Sequence, residues 1–318
     1  MHPAPSIIVF TTLSGAGYGL LFWLGVMASF DRAPDGWGFA LAGMGLALAL
    51  VSIGLLASTL HLKHPERAWR AVTQWRSSWL SREGVLALAT YGPAGALAVA
   101  WVVTGEVAGL WRTVAALAAL GALGTVVATA MIYASLKPVR TWHSPWTLPG
   151  YLAFAGFTGA LLLAALLEIF ALPAWRMEAA ALVLGAAAWG VKLVAWRHID
   201  GPPPTLGAPT AESATGLGDI GRVRLLERPH TGESYLTREM AFRVARKHAR
   251  RLRAVALLLG GGVAGALLLL ALALSGPAAT LAAVLAAICG ILATLIERWL
   301  FFAEARHTVT LYYGARQV

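Results

Sequence analysis

Hydrophobic positions in this chain gather into long blocks, and the polar residues collect in the connections between them. Crossing a hydrocarbon core takes about 20 consecutive apolar residues. Blocks of that kind occur eight times, over roughly 5–30, 38–62, 83–103, 110–135, 148–171, 175–197, 254–274 and 278–303. The pattern predicts an all-α integral membrane bundle of eight transmembrane helices, a single domain over 1–318, because in lipid a helix satisfies its own backbone polar groups. The first block is read as a span and not as a cleaved signal, since Met1–Ser6 carries no Lys or Arg and the apolar stretch is of full spanning length.

Charge sets the expected orientation. An even number of spans puts both termini on one side together with the connections 62–82, 136–147 and 198–253. That side holds 21 of the 25 Lys and Arg residues. Arg32, Arg112 and Arg176 fall near the other side, and Lys192 lies inside span six, close enough to its end to snorkel. By the positive-inside rule both termini are expected in the cytoplasm of a bacterial inner-membrane protein. The net charge of +10 follows from this sidedness and is no sign of nucleic acid. Tryptophans mark the ends of the blocks, Trp23, Trp37, Trp101, Trp111 and Trp175 outside and Trp75, Trp79, Trp142, Trp146 and Trp196 inside, as interface anchors. Glu106 and Glu168, near the outer surface, are read as solvated.

Haem carried across a bilayer needs axial ligands at depth on facing helices. None of the eight histidines lies in the middle of an apolar block, and the single cysteine, Cys289, cannot ligate an iron–sulfur cluster alone. The protein is therefore expected to hold neither haem nor cluster.

The longest connection, 198–253, opens with GPPPTLGAPTAESATGLG and passes into SYLTREMAFRVARKHARRLRAVA, where Leu236, Met240, Val244 and His248 recur at helical spacing among basic residues. This predicts a basic amphipathic helix leading into span seven. It could lie on anionic lipid or dock a soluble subunit through Arg243, Arg246, Lys247 and Arg250. The length of the connection favours docking.

Five segments together, HPAPSIIVFTTLSGAGYGL at 2–20, STLHLKHPERAWRA at 58–71, SWLSREG at 78–84, PHTGESYLTREMAFRVARKHARRLR at 229–253 and ERWLFFAEA at 297–305, resemble the DMSO reductase anchor subunit family from one terminus to the other. The resemblance implies a haem-free subunit that reacts with quinone, ubiquinone or menaquinone. It also implies a ferredoxin-like iron–sulfur subunit and a molybdopterin catalytic subunit as partners. In that family a histidine at the end of span two is implicated in quinol binding, and STLHL puts it at His61. The short outer loops offer little to dock on, so the partners are expected on the cytoplasmic face. Within the family this arrangement is most similar to the anchors that serve sulfite oxidation and pass electrons to the quinone pool. The alternative is an anchor that oxidises quinol for a DMSO-type reductase.

Reducing a quinone requires two protons at its oxygens, which suits a histidine near the aqueous edge. Around His61 the candidates are Arg67, Arg82 and Glu83, with Glu83 relaying protons from water, while Lys63 and Arg70 are placed at the partner surface. Taken singly, Lys63, Arg67 and Arg70 read sooner as interfacial charges that snorkel. In span one Thr11, Ser14 and Tyr18 form one stripe, flanked by Gly15 and Gly19 at small-xxx-small spacing. The stripe either walls a quinone pocket or joins helices one and two. Glu297 and Arg298, in the inner part of span eight, call for an ion pair with another span or a place in a proton path. A transporter is disfavoured by the absence of paired interruptions in the two halves. A purely structural anchor would leave His61 without a role.

Overall fold

In the computed structural model, residues 4–60, 62, 64–201, 209–227, 232 and 248–315 are described. Among them eight helices are long and apolar enough to cross a membrane. They are α1 (Pro5–Ser29), α2 (Trp37–Thr59), α3 (Trp79–Thr104), α4 (Leu110–Ala134), α5 (Thr147–Ile169), α6 (Trp175–Asp200), α7 (Ala249–Ala273) and α8 (Pro277–Ala303). Their ends lie within five residues of the ends of the apolar blocks. The largest differences are at α3 and α7, which start before the last basic residues that precede the apolar block. Ser78 is extended and opens α3 at Trp79, so Glu83 sits a full turn inside the helix. Arg253 is carried inside α7 because Asp200 and Glu304 bind its guanidinium at 2.5 and 2.9 Å.

Helices α1 and α5 form the centre, with α2 and α4 packed along α1 and α6 and α8 along α5. Small residues set how closely these helices meet. A Cβ on Gly19 would lie 1.9 Å from the Ala155 carbonyl oxygen, and one on Gly159 would lie 2.1 Å from the Gly19 carbonyl carbon, so α1 and α5 touch backbone to backbone. Of the expected small-residue pair only Gly19 makes such a contact. A Cβ on Gly15 would meet nothing within 4 Å, and this glycine instead lines a cavity. In α7 the Gly-rich stretch Leu258–Val263 takes a π-helical turn where Gly260 passes against the Trp189 ring, a place where no side chain fits.

On the side of the termini, a 3₁₀ turn, Pro65–Val72, lies beside α3, and a second, Thr308–Tyr313, meets the short helix Ala211–Thr215 of the long connection. The Tyr312 hydroxyl donates to the Ala214 carbonyl at 2.8 Å. The expected amphipathic helix over most of 234–247 lies outside the described residues.

Candidate functional site

Buried polar side chains within the spans are concentrated towards one end of the bundle. At about 1.5 Å of rise per residue, Glu83 lies about 6 Å into α3 from the basic face, with Thr129, Tyr151 and Arg298 at similar depths on α4, α5 and α8. Ser14, Thr125, Lys192 and Thr294 lie roughly another turn deeper. Apart from Glu178, at the start of α6 on the opposite face, no acidic or basic side chain is buried in the other half among the described residues. Polar residues inside a bundle face its interior or a cavity, so this end is built to hold water or a polar ligand.

The Glu83 carboxylate, 5% exposed, accepts a hydrogen bond from the Thr129 hydroxyl, which also bonds the Thr125 carbonyl at 3.0 Å. The Tyr18 hydroxyl is buried beside that of Thr125 and lies in electrostatic range of Glu83 and Tyr91. Tyr91 reaches across from α3 to α2, where its hydroxyl and that of Ser52 are 2.6 Å apart. Helices α2 and α3 pack against each other far less than α1 packs against α2. Ser52 and Tyr91 are both half-buried at this loosely packed seam.

The second polar cluster joins α6 to α8. Glu297 is fully buried, with one carboxylate oxygen against the Lys192 ammonium and the other 2.5 Å from Arg298 Nε. Arg298 lies 4.1 Å over the Tyr151 ring. Two small cavities flank the cluster. One, of about 30 Å³, is bounded by Thr141, Ser144, Lys192, Glu297 and Arg298; the other, of about 20 Å³, by Thr11, Ser14, Tyr18, Thr129 and Arg298. Each has room for about one water and neither for a quinone ring. At the rim, burial pushes the Glu304 carboxyl above its ordinary range and Arg253 opposes that shift.

Several residues singled out from the sequence meet here. Thr11, Ser14, Tyr18 and Glu83 are all buried, and the first three line the deeper cavity. Thr11 and Ser14 spend their hydroxyl protons on the carbonyls of Ile7 and Phe10, at 2.9 and 2.6 Å, leaving lone pairs for the cavity. Arg82 is turned away: it stacks over Trp79 and donates to the carbonyls of Trp75 and Arg76 at 3.0 and 2.8 Å, holding the turn before α3. Arg67 and Arg70 are exposed on the 3₁₀ turn, Arg67 beside Glu66 at 3.8 Å and Arg70 over Trp69. Arg250 is exposed at the start of α7. His61, Lys63, Arg243, Arg246 and Lys247 lie outside the described residues.

Lys192 does not snorkel. Glu297 offers it a carboxylate inside the bundle, and its side chain is 8% exposed. Trp101, Trp142 and Trp196 are core residues and not interface anchors, with the Trp142 indole donating to the Phe301 carbonyl at 2.9 Å. The sequence reading missed Thr129, Tyr151, Ser52 and Tyr91. The available signal was the confinement of hydroxyl-bearing positions to the same half of several spans.

A family model described as DMSO reductase anchor subunit (DmsC) matches residues 1–314. The C subunit of the sulfite dehydrogenase of Allochromatium vinosum is 34% identical over 334 residues, spanning 98% of this protein and 99% of the relative. The C chain of the anaerobic dimethyl sulfoxide reductase of Escherichia coli is 32% identical over 134 residues, spanning 41% of this protein and 45% of the relative.

Proposed function

The chain belongs to the DMSO reductase anchor subunit family, and on that footing we propose that it is the quinone-reactive membrane subunit of an iron–sulfur and molybdopterin oxidoreductase. It passes electrons from sulfite oxidation to the quinone pool of a bacterial inner membrane. The nearly full-length similarity to a sulfite dehydrogenase subunit supports this over the partial similarity to a DMSO reductase chain. The concentration of Lys and Arg on the side of the termini supports a cytoplasmic docking face for the catalytic subunits.

The observation that carries the reading is the buried Glu83–Thr129 pair beside Tyr18, near the Ser52–Tyr91 hydroxyl contact at the α2–α3 seam. Reduction of a quinone to a quinol consumes two electrons and two protons. The electrons come from the partner's cluster. The hydroxyls of Tyr91 and Ser52 suit a quinone oxygen arriving from the bilayer, and Glu83 suits the delivery of a proton behind them. His61 follows two residues after α2 ends at Thr59 and completes the group in sequence.

The test is His61→Ala and Glu83→Gln in the assembled complex. Quinone-linked turnover is expected to fall by about a hundredfold or more, while turnover with an artificial acceptor at the catalytic subunit is unchanged. Retained quinone turnover in both variants would contradict the reading.

A further inference from the structure

The cluster of Lys192, Glu297 and Arg298 is not accounted for by quinone binding. It places two cations and one carboxylate inside the membrane-spanning bundle, with side-chain exposures of 8%, 0% and 4%. Taking charges out of water is costly, and a packed apolar trio would hold the helices as well. Beside it a buried donor is left unmet. The Thr141 hydroxyl has no hydrogen-bond partner, the Tyr151 hydroxyl meets the Arg298 guanidinium and the Tyr18 hydroxyl that of Thr125, and each of these residues lines at least one of the two cavities. Buried polar groups of this kind are satisfied by ordered water, and each cavity accommodates about one.

The cavities form a sequence. The first reaches Thr141 and Ser144 in the connection between α4 and α5 on the basic face. The second reaches Thr129, the hydrogen-bond donor to Glu83. Tyr151, Phe154 and Arg298 border both, so the wall between the cavities is one aromatic hydroxyl, one apolar ring and one guanidinium. Of the two cations that share Glu297, a guanidinium keeps its proton under all ordinary conditions, whereas a lysine ammonium can release one. Loss of that proton takes the cluster from a charge of +1 to neutral and leaves a matched Glu297–Arg298 pair.

We propose that Lys192 is a proton-loading site in a water-assisted path from the basic face to Glu83, running by Thr141 and Ser144, the Lys192–Glu297–Arg298 cluster, Tyr151 and Thr129. Lys192 gives one proton inward through the Tyr151 hydroxyl and the deeper water to Glu83, then takes one from water at the Thr141 end. Two such cycles supply the two protons of each quinol formed. The path enters through the α4–α5 connection and is separate from the seam between α2 and α3. This proposal rests on the quinone reading above.

Lys192→Arg tests it, because the variant keeps the charge that Glu297 requires and removes the exchangeable proton. In complexes reconstituted into liposomes, quinone-linked turnover is expected to fall about tenfold or more, and the solvent deuterium isotope effect on it to rise. Turnover with an artificial acceptor stays at the wild-type rate. If Lys192→Arg does not assemble, Tyr151→Phe decides in the same way, since it keeps the ring under Arg298 and removes only the hydroxyl. Wild-type quinone turnover with an unchanged isotope effect overturns the relay. Glu83→Gln and His61→Ala in parallel separate the two ideas: if they abolish turnover while the relay variant is silent, the path alone is wrong, and if both are silent, the quinone reading falls.

Discussion

Replacing Glu297 with Gln should be the most damaging change of charge available in this bundle. The side chain is fully buried, and its carboxylate is bound on one oxygen by Lys192 and on the other by Arg298. Glu297→Gln removes the only negative charge in the cluster and leaves two adjacent cations. Breaking a buried pair by removing one partner costs about 3–5 kcal/mol, and here one carboxylate serves two cations, which argues for the upper part of that range. Lys192→Met does the opposite: it takes the cluster to neutrality and leaves the Glu297–Arg298 bond of 2.5 Å intact. Its cost should be nearer the loss of one charge-assisted hydrogen bond, about 1.5–3 kcal/mol, offset by the ion it no longer buries. The assay is the melting temperature of the detergent-solubilised complex, read from loss of this subunit's assembly with its partners. Glu297→Gln must melt below Lys192→Met, and the double variant must recover part of the loss. Equal stability of the two single variants would refute the reasoning.

Gly159→Ala should destabilise the complex by about 1–3 kcal/mol, the range for overpacking, because the new methyl would meet the backbone of Gly19 at 2.1 Å; Gly15→Ala, whose new methyl would meet nothing within 4 Å, is the silent control in the same thermal denaturation experiment. Trp142→Phe, which leaves the Phe301 carbonyl without its indole donor, should cost about 1–3 kcal/mol as a buried acceptor goes unpaired, measurable by the same melt. A reporter active only in the periplasm, fused after Val318, should give no signal, as the distribution of basic residues requires. A reduced-minus-oxidised spectrum of the purified complex should contain no b-type haem belonging to this protein, which has no histidine in the middle of a span.

The number and type of the elements were legible in the sequence because a span must be long and apolar to exist in lipid. Helix starts were less so: the hydropathy of 79–83 reads as connection, yet Ser78 opens α3 before it, and this places Glu83 inside the membrane end and not at its edge. The stripe of Thr11, Ser14 and Tyr18 was visible from spacing alone. Its partners Thr129 and Tyr151 were not, since nothing local says which face of α4 or α5 turns towards α1. Lys192 was misread for a similar reason. A lysine a few turns from a helix end reads as a snorkelling side chain until a carboxylate on a distant helix is known to face it. Trp101 and Trp142 look like interface residues by position, but the Pro34 and Phe301 carbonyls supply indole partners inside the fold.

The most direct test of the account is to find where quinone binds. The purified complex, illuminated with an azido-quinone and digested, should yield labelled peptides from this protein that contain Ser52, Tyr91 or Glu83, with labelling suppressed by excess unmodified quinone and weakened by Glu83→Gln. Competable label confined to another subunit, or to the helices around α6 and α7, would contradict it.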